Sequence, residues 1–309
     1  LVPSYFCNSS LAPLREIETN LFFYPIKESG EPDIREIEKI CSEHKIDIVI
    51  AVHFFGNFID FSDLSRISQN FNIWFIEDFA HLLNLPKGKP IKSDFQLFSP
   101  HKFFALPDGA ILSVNKRIFK KNNEIEEFEE IYQTFVRGKY SKLRPYLWLL
   151  KRVIQKLNIG IKLGISDFYN DTLVNTSKDF LKPGMSPFSK GLLSKMDEDI
   201  NENIRVRQKN ADSWKKVIFS RYPSAEVIFN KYTPESIYLL GIQFPSEQDL
   251  KDALHWCNEK NFPVCTWPDL PDEVLEEKEY FKNSIYLRYK CIFFHVHSSI
   301  DKNHIESSV

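Results

Sequence analysis

Two short apolar runs separated by one amphipathic segment constrain the fold of this chain more than anything else in it. Residues 47–52 read DIVIAV and residues 72–77 read NIWFIE. Continuous β-branched and apolar stretches of that length suit strands covered on both faces, the usual situation in parallel sheets. The segment between them, residues 60–70, reads as a helix with Asp60 or Ser62 placed to cap its start. Residues 33–43 (DIREIEKICSE) put Ile34, Ile37, Ile40 and Cys41 at helical spacing. Alternating strands and helices imply right-handed crossovers and an α/β fold built on a doubly wound, mainly parallel sheet.

Ligands of such sheets sit at the carboxyl ends of the strands. His53, Asp78 and Lys102 each lie just after a strand-like run. Lys102 stands on a short polar turn inside residues 94–114, between two apolar, strand-like stretches; the second is residues 110–114 (AILSV). A lysine held this way, with a carboxylate at the end of a neighbouring strand, is what pyridoxal phosphate needs. The amine condenses with the cofactor aldehyde, and the carboxylate keeps the pyridine nitrogen protonated so that the ring accepts electrons.

With 309 residues, the chain is long enough for one large and one small domain. A formal net charge of −2 gives no global pull toward nucleic acid or an anionic membrane. The five cysteines (Cys7, Cys41, Cys257, Cys265, Cys291) are scattered and form no Cys-x-x-Cys pair, which argues for a reducing compartment. No apolar run is long enough to span a bilayer and no secretory signal is visible, so a cytoplasmic location is expected. The first residues (LVPSY) already read as a strand and turn, as in a fragment.

After residue 115 the pattern changes. Residues 116–179 carry amphipathic helical stretches (EIEEFEEIYQTF, YLWLLKRVIQKL) whose lysines and arginines suit a membrane or partner surface, though a solvated face beside an apolar core stripe is the favoured expectation. Residues 182–187 (KPGMSP) form a loop signal and a plausible hinge. A long polar helix is expected over 189–219, short strands near 236–244 and 284–294, and a helix over 246–259. The expected division is a large domain over 1–118, a helical connection over 119–185, and a smaller C-terminal α+β domain over 186–309.

The spaced motifs resemble the DegT/DnrJ/EryC1/StrS aminotransferases, a family of fold-type-I pyridoxal-phosphate enzymes. The matching residues are Val2-Pro3-Ser4-Tyr5, Val52-His53-Phe54-Phe55-Gly56, Ile76-Glu77-Asp78-Phe79-Ala80-His81, the lysine turn, and Pro107-Asp108-Gly109-Ala110. Weaker matches follow at Arg207-x-x-Asn210-x-x-x-Trp214, Phe262-Pro263-Val264 and Trp267-Pro268-x-Leu270-Pro271. The resemblance implies that Lys102 is the Schiff-base lysine and proton shuttle, that Asp78 pairs with the pyridine nitrogen, and that His81 reaches the ring hydroxyl. His53 and Tyr5 would lie near the substrate or the ring. A homodimer acting on a keto-sugar nucleotide, with glutamate or glutamine as amino donor, is implied as well.

Three features depart from the family pattern. The lysine turn is short, and its Ser99-x-His101-Lys102 spacing resembles that of cysteine desulfurases, which would make Ser99 and His101 phosphate contacts. His81 replaces the usual glutamine. The small-residue phosphate loop that the family places before Val2-Pro3 is not in this sequence. Two other readings therefore stay open: another fold-type-I reaction such as a lyase, and a non-catalytic binding or regulatory module. His295 and His297 lie on one strand face, a spacing that suits a metal, but no third ligand is evident and no metal is expected.

Overall fold

The computed structural model describes residues 1–82, 91–119, 122–136, 140–156, 184–196, 200–229, 237–267, 269–297, 299–300 and 302–306. The chain opens with β1 (Val2–Pro3), α1 (Asn8–Glu16) and β2 (Phe23–Tyr24), followed by α2 (Ile34–Glu43). The Asp33 carboxylate accepts the Arg35 and Glu36 amides and so caps α2, which buries Ile37 and Cys41. Then come β3 (Ile48–Val52), α3 (Ser62–Phe71), β4 (Trp74–Asp78), β5 (Phe95–Phe98) and β6 (Ile111–Val114). Helix α3 ends at Asn72 in the left-handed conformation, φ 54°, which turns the chain straight into β4.

The sheet order is β3-β4-β5-β6. The β3–β4 and β4–β5 pairs are parallel, with Val52 opposite Asp78 and Asp78 opposite Leu97, while β6 closes the sheet antiparallel. The Ile50 amide donates to the Leu1 carbonyl at 2.9 Å, laying β1 beside β3. The mainly parallel sheet read from the sequence is therefore the one that forms. Its strands begin and end within two residues of the expected limits.

Helices α4 (Asn122–Val136) and α5 (Arg144–Lys156) lead to α6 (Pro187–Leu193) and α7 (Ile200–Arg221). A second sheet of order β7-β8-β10-β9 is wholly antiparallel: β7 (Glu226–Val227), β8 (Leu239–Gln243), β9 (Val264–Cys265) and β10 (Cys291–His295). Between its strands lie α8 (Glu247–Glu259), α9 (Asp272–Glu276) and α10 (Lys282–Lys290), and α11 (Lys302–Glu306) packs on α7. Two expectations fail here. The helix expected over 189–219 is broken, since α6 stops at Leu193 and α7 starts at Ile200. Residues 284–290 are helix rather than strand, because Ser284, Leu287 and Arg288 bury one helical face. Of the 182–187 loop, residues 182 and 183 lie outside the described residues.

One apolar core runs from the first sheet into the second. Tyr5, Phe54 and Phe55 pack with Phe229, Trp267 and Phe293, all buried. This junction sets the geometry of the site, because it presses C-terminal residues against the carboxyl edge of the parallel sheet.

Candidate active site

Asp78 is the last residue of β4, and Lys102 closes a one-turn 3-10 helix (Pro100–Lys102) directly after the neighbouring β5. The parallel pairing of these strands therefore delivers both groups to one edge. The Asp78 carboxylate accepts the Ala80 amide at 2.7 Å. Burial pushes its pKa up, and Lys102, the Ala80 amide and His53 pull it partly back. Burial pushes the Lys102 ammonium down, with Asp78 the chief opposing influence and Cys7, at the start of α1, a smaller one. Each group is thus the other's main counter-charge, yet no direct ion pair joins them among the described residues.

Aromatic rings enclose the pair. The Lys102 Nζ sits 5.6 Å from the centre of the Tyr238 ring. His81 stacks on Tyr238 at 4.7 Å and on Phe55 at 5.1 Å, with Trp267 edge-on at 5.7 Å. The Phe55 amide donates to His81 Nδ1 at 3.4 Å, so the neutral ring carries its proton on Nε2. Burial, with the Lys102 charge second, holds the His81 pKa well below the usual value. His81 is accordingly a neutral Nε2 donor, the hydrogen-bonding role that a glutamine amide fills.

The other expected residues divide. Ser99 caps the lysine turn and its hydroxyl has no partner among the described residues. His101 is exposed, and its Nδ1 donates to the Gly109 carbonyl at 3.1 Å. Its neutral ring then offers only an acceptor at Nε2, so a phosphate contact through His101 requires the protonated ring. His53 is fully buried between Phe58 and Phe79; its Nδ1 accepts the Ile59 amide and its Nε2 meets Glu77 at 3.3 Å. Neither ring nitrogen is left for a substrate, so the expected substrate contact is not what the geometry provides. Tyr5 is also fully buried, stacked on Trp267 at 4.9 Å. Its hydroxyl and the Trp267 Nε1 are buried without hydrogen-bond partners. His295 and His297 gather no metal-ligand cluster among the described residues, and His297 Nδ1 accepts the Ser299 amide.

Two residues essential to this geometry escaped the sequence reading of the site. Tyr238 reaches it from the segment entering β8. Arg207, on α7 and 1 % exposed, donates to the carbonyls of Phe103 and Tyr238 at 3.2 Å each, and at longer range to those of Lys102 and Ile237. It therefore ties the lysine turn to the second sheet. The resemblance already singled out Arg207 in Arg207-x-x-Asn210, but nothing local links it to Lys102.

The donor set fits pyridoxal phosphate. It offers an amine with a lowered pKa, a carboxylate at a strand end, a neutral donor beside them, and two unsatisfied buried polar atoms in the adjoining aromatic cluster. The parallel sheet, the lysine turn and the second, antiparallel sheet together have the fold of the fold-type-I pyridoxal-phosphate enzymes. Residues 2–140, a little under half of the chain, match the profile of the DegT/DnrJ/EryC1/StrS aminotransferase family.

A UDP-4-amino-4,6-dideoxy-N-acetyl-beta-L-altrosamine transaminase of Campylobacter jejuni (serotype O:23/36, strain 81-176) is 31 % identical over 107 residues, 32 % of this chain. That match spans only 28 % of the relative's length. Among solved structures, a Streptococcus pneumoniae protein proposed to be a sugar aminotransferase, in its PLP form, superposes with a TM-score of 0.70 at 14 % identity. The superposition covers 99 % of this chain and 77 % of that one. An E. coli GDP-4-keto-6-deoxy-D-mannose-3-dehydratase with bound hydrated PLP gives 0.63 at 15 % identity, over 99 % and 78 %. These structures share the fold.

Proposed function

We propose that this chain is a pyridoxal-phosphate-dependent aminotransferase that moves an amino group from glutamate or glutamine to a keto-sugar nucleotide. The observation that carries the reading is the placement of Lys102 and Asp78, both half-buried, at the carboxyl ends of adjacent parallel strands, where each is the other's main counter-charge. The family match over residues 2–140 and the sugar-transaminase relatives support the same chemistry.

When bound, the cofactor supplies an electron sink for the carbon that loses its proton. The protein's share is positional and acid–base. Lys102 Nζ, with its lowered pKa, accepts a proton from the donor carbon and returns it to the neighbouring acceptor carbon. With the cofactor bound, the Asp78 carboxylate would hold the proton on the pyridine nitrogen. His81 would donate from Nε2 to the ring hydroxyl, and Ser99 would contribute its hydroxyl to the phosphate. The same proposal makes the protein a cytoplasmic homodimer, with the boundaries near residues 118 and 186 separating its large domain, helical connection and small domain.

Borohydride trapping of pyridoxal phosphate on the purified protein, followed by peptide mapping, tests the reading. Label on Lys102 that disappears in Lys102→Ala, together with amino transfer to one of a panel of keto-sugar nucleotides, is the expected result. Label without transfer, but with loss of water from a deoxysugar substrate, would move the assignment to a lyase. No label at saturating cofactor would leave a non-catalytic module.

A further inference from the structure

The overall charge of −2 conceals a strongly basic stretch. Between Glu130 and Asp167 the sequence holds eight lysines and arginines and no acidic residue. Since the whole chain is −2, everything outside this stretch sums to −10. Helix α5 lies within it. One side of α5 is anchored: Pro145 is buried, Trp148 meets Phe188 of α6 edge-on at 6.2 Å, and the Arg152 guanidinium lies 5.2 Å from the Trp148 ring centre.

The opposite side is apolar and open. Tyr146, Leu147, Leu150 and Val153 are 71 %, 63 %, 57 % and 53 % exposed. At about 100° per residue these positions share an arc roughly 120° wide. Lys151 falls just beyond the Leu147 border of that arc. The sequence expectation of a stripe facing a core is thus not met at α5. No helix among the described residues is long and apolar enough to cross a membrane.

We propose that α5 is an interfacial helix that seats this protein on an anionic bilayer surface. The apolar arc enters the headgroup–acyl boundary, and the flanking lysines and arginines meet lipid phosphates. A basic polar face, aromatic and leucine residues, and the absence of any carboxylate on the helix are the features such a surface selects. A second copy is the less suitable occupant of the same patch. A two-fold contact repeats a patch against itself, and here that sets cation against cation. The net-acidic remainder of the protein, repelled by the same lipids, orients it with α5 toward the membrane.

The test is sedimentation of the full chain with sucrose-loaded vesicles. Phosphatidylcholine alone is compared with phosphatidylcholine mixed with phosphatidylglycerol, at low and high salt. Binding to the anionic vesicles that weakens with salt is expected. Lys142→Gln, at an exposed position two residues before α5, with Lys151→Gln should lower the partition coefficient about thirty-fold. Leu147→Ser with Leu150→Ser should abolish binding while leaving circular dichroism and the unfolding midpoint unchanged, because these side chains are exposed. Failure to pellet with either vesicle overturns the proposal, as does equal binding to both. So does a concentration-dependent dimer that the leucine pair disrupts in the absence of vesicle binding, which would assign the face to a second copy.

Discussion

Arg207→Met should destabilise the protein by about 2–4 kcal/mol and loosen the lysine turn without unfolding the chain. The arginine is 1 % exposed and has no carboxylate partner among the described residues; its charge is solvated by main-chain carbonyls and by Asn203 Oδ1 at 2.7 Å. Burial lowers its pKa to about 10, so enclosing the charge is itself unfavourable. Methionine fills similar space and removes that cost, but it leaves the donors' partners behind. The Tyr238 carbonyl loses a 3.2 Å bond to a charged donor, worth about 1.5–3 kcal/mol. The Phe103 carbonyl loses another but retains the Asn203 amide at 3.3 Å, so its loss is smaller. The ring of Phe103, 5.0 Å from the guanidinium, also loses its cation. Against a typical total of about 5–15 kcal/mol, the variant stays folded at room temperature. Urea unfolding followed by tryptophan fluorescence reads the shift, and Arg207→Lys should fall between, since a lysine cannot span the same carbonyls. Arg207 is no clamp if Arg207→Met unfolds within about 0.5 kcal/mol of the parent at an unchanged denaturant slope. Nor is it one if cofactor trapping on Lys102 proceeds at the parental rate.

Asp78→Asn should lower the Lys102 pKa further, because Asp78 is the main influence holding it up; the pH inflection of amine-reagent modification at Lys102 would move down, and an unmoved inflection would sink the coupling. His81, His295 and His297 all titrate below the usual histidine range because of burial, His297 at about 4. A base whose folded pKa is depressed contributes stability that is present above its unfolded pKa of about 6.5 and lost as pH falls. Stability should therefore decline below pH 6.5 by up to about 1.4 kcal/mol per pH unit per histidine, and His81→Gln should flatten the calorimetric slope by one proton's worth. Gly109→Ala should cost about 1–3 kcal/mol. Its φ is +112° and an added Cβ would collide with the Met185 side chain, so Met185→Ala should restore only the steric part of the lost melting temperature.

What was legible in the sequence was local or periodic. The β-branched runs forming β3 and β4 announced themselves, as did the Asp33 cap and the helical spacing of α2. Lys102 and Asp78 were readable because a strand end fixes its own last side chain, and parallel pairing then brings two such ends together. The misread elements failed for the same reason in reverse. Residues 284–290 place Ile285, Leu287 and Tyr289 at every second position in a strand-like way, and only the tertiary surface at Ser284, Leu287 and Arg288 selects a helix. No glycine or proline marks the break after α6. His53 stood at a strand end and was read toward the site, but its partner Glu77 is 24 residues away and turns it into the core. Tyr238 and Arg207 are more than a hundred residues from Lys102, and only the folded junction brings them near. The amphipathic character of α5 was plain; which side faces the protein depends on Trp148 meeting Phe188.

The electrostatics of the site explain why its parts are informative only together. Burial opposes charge on Asp78, on Lys102 and on His81 alike, yet it acts in opposite senses, pushing the acid up and the two bases down. In the protein alone, Lys102 and Asp78 each support the other's charge across a gap, and His81 is driven toward its neutral form by burial first and by the Lys102 charge second. A cationic ring nitrogen lodged against Asp78 would become the nearer counter-charge. Asp78 would then be held ionised without Lys102, and Lys102 would lose the influence that keeps its proton on. The arrival of such a ligand would thus free the amine that has to react with it. That coupling needs no conformational change, only a carboxylate and an amine that burial has already made uncomfortable, and it would be lost if either residue were exposed to water.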